Sequence, residues 1–140
     1  MVRIIGIDPG LRRCGWGIVE SEGNRLRYIA CGTLMPRTDT SLAERLAELH
    51  AGLRGLIEFY RPDEAAVEET FVNAGARSAL QLGQARGVAL MTPASMGLVV
   101  GEYAANLVKK SVVGTGHAEK AQVQLMVKTC LLYTSDAADE

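Results

Sequence analysis

The sequence predicts an α/β fold on one mixed sheet: an antiparallel three-strand meander, parallel strands beside it, and helices on both faces. Three observations predict it. Residues 3–35 hold three short apolar runs joined by turns too short for a crossover. At Ser41 the apolar period changes from two to about 3.6. Beyond that point strand-like and helix-like segments alternate, giving the order β-β-β-α-β-α-β-α.

"RIIGID", residues 3–8, is apolar at nearly every position, as a central strand must be. "PGLRR" turns the chain, and "CGWGIVE" forms a second strand with Trp16 and Ile18 on one face. "SEGN" is a second turn, Gly23-Asn24 being a hairpin pair, and "RLRYIACGTLM" is the third strand. In "SLAERLAELHAGLRGLIEFY", Leu42, Leu46, Leu49, Leu53 and Leu56 fall on one helical stripe, opened by a Ser41–Glu44 capping box. Pro62 ends that helix ahead of a short strand, Ala65 to Glu68. The next helix is expected from Ser78 to about Met96, opened by a Ser78–Gln81 box. "GLVVGEY" reads as a strand, and "ANLVKK" and "HAEKAQVQLMVK" as short helices around the loop "SVVGTG".

At 140 residues the chain has the size of one domain, and 48% of it is apolar. No apolar run approaches the roughly 18–20 residues of a membrane span, and the N-terminus lacks the pattern of a secretion signal, so a cytoplasmic protein is expected. The three cysteines, Cys14, Cys31 and Cys130, have no metal-ligand spacing and read as free thiols. His50 and His117 form no metal pair. Net charge is −1, but residues 77–120 carry Arg77, Arg86, Lys109, Lys110 and Lys120 against only Glu102 and Glu119. That stretch is either an anion-binding face or an ordinary solvated surface, and charge alone favours the second.

Residues 130–140, "CLLYTSDAADE", follow a well-patterned helix with no turn chemistry to end it. One back-translation, TGTCTCTTATACACATCT followed by GACGCTGCCGACGA, reads as a transposon end joined to a sequencing-library adapter. The expectation is a domain at residues 1–129 and a non-native tail at 130–140, with the natural gene longer. Without the three acids Asp136, Asp139 and Glu140 the net charge moves from −1 to about +2.

Asp8 closes the first strand and is followed by Pro9-Gly10, which turn the backbone. A carboxylate on a strand end is rigidly aimed, as a Mg²⁺ site requires, although an Asp beside Pro-Gly also serves as a plain turn residue. Glu68 and Glu69 close a second apolar run. Alternation lets only one of them share a face with Asp8, and if Val67 packs inward the two diverge. Two strands ending in acids side by side suit metal-dependent phosphodiester hydrolysis.

Four ordered blocks, "IIGIDPGLRRCGWGIVE", "AAVEETFVN", "SALQLGQARGVAL" and "LVKKSVVGTGHAEKAQVQLMV", together resemble the RuvC family of Holliday-junction resolvases, over residues 2 to about 129. The resemblance implies a ribonuclease-H-like fold and a homodimer that nicks a four-way junction symmetrically during recombination and repair. It further implies Mg²⁺, two ions per site, with Mn²⁺ able to substitute. Carried over, Asp8 and Glu68 match the first two catalytic metal-binding acids, and Glu69 takes a neighbouring, less constrained place. Phe71 matches an aromatic near the crossover point, with a core Phe as the competing reading. Lys109 and Lys120 match bases that handle the scissile phosphate and backbone. Arg77 and Arg86 are weaker phosphate contacts, and Arg86 is as well suited to a surface acid. Ala79, Gly83 and Gly87 share one helix face, which either forms the dimer interface or packs tightly on the sheet.

The family carries two more acids in a late D-A-A-D motif, and Asp136 and Asp139 match those letters. The spacer is too short and the following helix absent, so the match reads as coincidence and Asp136 as a doubtful site member. The implied partners are the junction, a second copy of the chain and a branch-migration helicase complex (RuvA and RuvB). The implied reaction is in-line attack of water, leaving 5′-phosphate and 3′-hydroxyl ends, weak or absent if the late acids are missing. Two rivals stand beside it. A non-catalytic junction-binding module would bind without cutting, and an actin-like ATPase or sugar-kinase relative would need phosphate and adenosine loops that this sequence lacks.

Overall fold

The computed structural model describes residues 1–23, 25–69 and 75–104. Their elements run β1 (Val2–Asp8), β2 (Cys14–Glu22), β3 (Arg25–Leu34), α1 (Leu42–Tyr60), β4 (Glu64–Glu69), α2 (Ala76–Ser95) and β5 (Val99–Ala104). The sheet order is β3-β2-β1-β4-β5. β2 runs antiparallel to both β1 and β3, while β4 runs parallel to both β1 and β5. The meander and the parallel half therefore meet at β1, whose apolar run is satisfied by a partner on either side.

Side-chain alternation divides this sheet cleanly. Ile5 and Ile7 of β1, Trp16 and Ile18 of β2, and Ala65 and Val67 of β4 form one cluster with Leu49, Leu53 and Ile57 of α1 and Ala85 and Ala89 of α2. Both described helices therefore cover the same face. Each fully buried Leu or Ile contributes about 1.5–3 kcal/mol of transfer free energy, so this face supplies most of the described core. The opposite face carries a smaller cluster of Ile4, Val19 and Ala66, with Leu26 and Tyr103 against it. The helical segments expected at 105–110 and 117–128 lie outside the described residues.

α1 begins as its sequence requires: Ser41 is extended, and its hydroxyl accepts from the Glu44 N–H at 3.2 Å. It ends at Arg61, whose left-handed backbone (φ 51°) lets its N–H reach the Ile57 carbonyl at 2.9 Å, ahead of Pro62. The Arg3 guanidinium donates to the Tyr60 carbonyl and to Glu20 at 2.7 Å, tying β1, β2 and the C-terminus of α1 together. The start of α2 corrects the sequence reading. Gly75, with φ 41° and no side-chain cap, begins the helix at Ala76, and Ser78 sits inside the first turn. A glycine entering at positive φ needs no capping box, so the Ser78–Gln81 spacing carried no boundary information.

Among the described residues no helix is long and apolar enough to cross a membrane. Cys14 and Cys31 are both unbridged, as expected, and Cys130 lies outside the described residues.

Candidate active site

Asp8 is the last residue of β1 and faces Gly15 of β2. The β1–β4 ladder runs to Ile7↔Val67, so the next step along both strands sets Asp8 beside Glu68. Ile7 and Val67 point into the helix-side core, and Asp8 and Glu68 therefore share the opposite face. Neighbouring strands lie about 4.8 Å apart, a separation at which two carboxylates can share one cation. Glu68 is only 4% exposed, while Asp8 is half-buried. Two anions this close and this shielded from water repel each other until a cation or hydrogen-bond donors compensate them.

The row through the acids reads Gly15, Asp8, Glu68, Tyr103 across β2, β1, β4 and β5. The next row down reads Gly17, Gly6, Ala66, Gly101. Small residues thus floor the sheet beneath the acids. At Gly101 this has a definite use: a Cβ there would lie 2.5 Å from the Tyr103 hydroxyl, so the ring folds back over the glycine.

The turn that follows Asp8 is held from beneath. Pro9, Leu11 and Cys14 are buried, and Leu11 joins the core cluster. Gly10 packs so closely on the Arg13 carbonyl that any side chain there would collide with it. Burial pushes the Cys14 thiol up to about 12, against a backbone hydrogen bond from Gly10 and with help from the negative charge of Asp8. Cys14 is thus a neutral, inert packing group under the acid turn. Sequence reading gave it no such place, because burial beneath this turn depends on the Gly10 contact.

The other sequence candidates divide. Val67 packs inward, so Glu69 falls on the helix side and diverges from Asp8, as the alternation argument required. Arg77 is exposed in the first turn of α2. Arg86 pairs with Glu102 of β5, the surface partnership its sequence context allowed. Ala79, Gly83 and Gly87 are exposed, and a Cβ at Gly83 or Gly87 would meet nothing within 4 Å. Their face does not turn inward; Ala85 and Ala89 join the core cluster instead, and Thr92 meets His50 of α1 at 2.8 Å. Phe71, Lys109, Lys120, Asp136 and Asp139 lie outside the described residues. Tyr103, beside Glu68, was missed by the sequence reading, although a period of two along β5 could have found it.

Among the described residues no group of three or more His, Cys, Asp or Glu gathers to hold a metal. The described donor set is two carboxylates. Hard oxygen donors on rigid strands, one of them buried, fit a hard divalent cation and not a soft one.

The family model and the curated relatives agree with each other. The family described as "Crossover junction endodeoxyribonuclease RuvC" matches residues 4–139. The crossover junction endodeoxyribonuclease RuvC of Methylocella silvestris is 61% identical over 142 residues, spanning 99% of this chain and 81% of its own. That of Azorhizobium caulinodans is 58% identical over 143 residues, spanning 99% and 85%. Among solved structures, Thermus thermophilus RuvC in complex with Holliday junction substrate superposes with TM-score 0.71 at 25% identity, over 81% of this chain and 71% of that one. A second Thermus thermophilus RuvC structure gives TM-score 0.69 at 30% identity, over 84% and 74%. The yeast mitochondrial Holliday junction resolvase Ydc2, at 11% identity and TM-score 0.57, shares the fold.

Proposed function

Since the chain belongs to the RuvC family of crossover junction endodeoxyribonucleases, we propose that Asp8 and Glu68 are the carboxylates at which it hydrolyses DNA. The chain is a structure-specific endonuclease that resolves four-way Holliday junctions in recombination and repair. The observation that carries the site assignment is the parallel β1–β4 register, which brings the two acids onto one face in one row.

The reaction is metal-dependent, and the ion proposed is Mg²⁺, two per site, held by Asp8 and Glu68 with further ligands outside the described residues. The ion supplies positive charge at the phosphate and a lowered pKa for attacking water. The protein's part is placement. Asp8 is fixed by a strand end and a turn anchored through Pro9 and Leu11, so its carboxylate costs little to organise. Glu68 lies in a shielded position, where its charge acts through a lower effective dielectric than in water. Lys109 and Lys120, by their match to the family, stabilise the negative charge that develops on the phosphate, and Phe71 stacks on a base at the crossover.

A homodimer is proposed through the outward face of α2. Gly83 and Gly87 leave open room for close backbone approach, and the nearby Leu80 is 62% exposed. Two such copies related by a dyad would set two nicks symmetrically, with RuvA and RuvB as the branch-migration partner. Although the family match runs to residue 139, residues 130–140 are proposed to be a non-native tail, so that Asp136 adds nothing to the site.

A gel assay with a labelled synthetic four-way junction and a linear duplex, in Mg²⁺, tests these assignments. Paired nicks confined to the junction are expected, with Asp8→Asn and Glu68→Gln each lowering the rate about a hundredfold or more while junction binding persists. Asp136→Asn is expected to change nothing. A loss equal to that of Asp8→Asn would make residues 130–140 part of the site. Junction binding without nicks would favour the binding-module reading.

A further inference from the structure

We infer that Arg12 and Arg13 form a phosphate clamp beside the acids, holding the backbone of the cut strand on the β2 side of the scissile position. The inference rests on the junction-nuclease reading above and adds residues to it.

The turn between Asp8 and Gly15 alternates in burial. Pro9, Leu11 and Cys14 are turned in, while Arg12 and Arg13 are exposed. Leu11 is 5% exposed and anchored in the core, and the Gly10 backbone is locked against the Arg13 carbonyl. The two arginines are therefore carried on a backbone that is already fixed, four and five residues after the catalytic Asp8. Binding through them costs side-chain order but little backbone order.

Their guanidinium groups have no internal acid partner, a state they share with several other arginines of the described residues. Arg3, Arg37, Arg54 and Arg86 each pair with an acid. Arg12 and Arg13 make no ion pair or hydrogen bond among the described residues. Two adjacent guanidinium groups repel each other, and such a pair on a rigid turn is favoured by an external anion. The planar fork of each matches the two free oxygens of a phosphodiester. Arg77 stands in the first turn of α2, the helix that follows β4 in the chain.

The test is equilibrium binding by fluorescence anisotropy, without divalent ions, to a labelled four-way junction and a linear duplex over a salt series. The full chain is compared with the Arg12→Ala/Arg13→Ala and Arg12→Lys/Arg13→Lys pairs. The Arg25→Ala/Arg27→Ala pair makes the same change in net charge at the opposite end of the sheet. Each lost phosphate contact lowers the slope of log K against log salt by about 0.9, so the alanine pair at the turn is expected to lose nearly two units. The lysine pair is expected to restore most of that slope, and the distant pair to leave it unchanged. An unchanged slope in Arg12→Ala/Arg13→Ala, or an equal loss in Arg25→Ala/Arg27→Ala, overturns the clamp. Failure of the nuclease reading would show separately, as loss of junction preference in the unmodified chain, and the slopes would still decide the clamp on duplex.

Discussion

Cys14 shows how much a single side chain can report about the acid turn above it. Its thiol keeps its proton up to about 12 in the fold, against an ordinary 9.0. Between those values the unfolded chain gives up the proton and the folded chain holds it, so rising pH favours unfolding. The contribution is intact below about pH 9 and falls away toward 12, by up to about 1.4 kcal/mol per unit. Alkaline unfolding followed by circular dichroism should therefore be shallower in Cys14→Ala than in the unmodified chain, once each is referred to its own stability at pH 7. Gly10→Ala should be far worse at any pH, because the added Cβ meets a backbone carbonyl that cannot move aside. At this scale the sequence named the acids, but alternation alone left Glu68 and Glu69 open. The family resemblance chose Glu68, and the inward packing of Val67 is what sets Glu68 on the face of Asp8. The thiol's place was not legible, because it depends on a turn conformation that no periodicity announces.

Among the elements, α1 and α2 make an instructive pair. For α1 the stripe of leucines, the Ser41 cap and the Pro62 stop all agree, and the helix forms where they say. Leu53→Ala should cost about 2–5 kcal/mol, measured by urea unfolding, because Leu53 is fully buried. α2 has weaker signals. Its glycines, exposed and open, break the pattern of an ordinary surface helix, and its true start lies at Gly75 and not at Ser78. Sequence could name Ala79, Gly83 and Gly87 but could not say whether the sheet or a partner lay against them, since both want small residues. Gly83→Arg should leave the folded monomer intact, as nothing within 4 Å opposes a Cβ there. Sedimentation should show a dimer before the change and a monomer after it.

Over the whole molecule, the sheet separates stability from chemistry. The larger cluster lies on the helix side and the acids on the other, with β1 and β4 contributing to both. Leu53→Ala and Asp8→Asn should accordingly act independently, with unfolding free energies that add to within about 0.5 kcal/mol in a double-mutant cycle. The antiparallel meander and the parallel strands beside it were legible because each connection length allows few topologies. The basic character of the acid end was harder to see. Sequence placed positive charge at Arg77 to Lys120, whereas Arg86 is taken by Glu102, and the exposed Arg12 and Arg13 stand nearer Asp8 in the chain.

The tandem Glu68-Glu69 looks like redundancy, a spare acid one position along. The alternating sheet forbids that use. For Glu69 to come level with Asp8, β4 would have to slide one residue against β1, and Glu68 would then enter the site of Val67, facing Ile7 in a core without water. The same move that offers the spare buries a charge. The register of the acid row is therefore enforced from the reverse side of the sheet, by the apolar residues of the core.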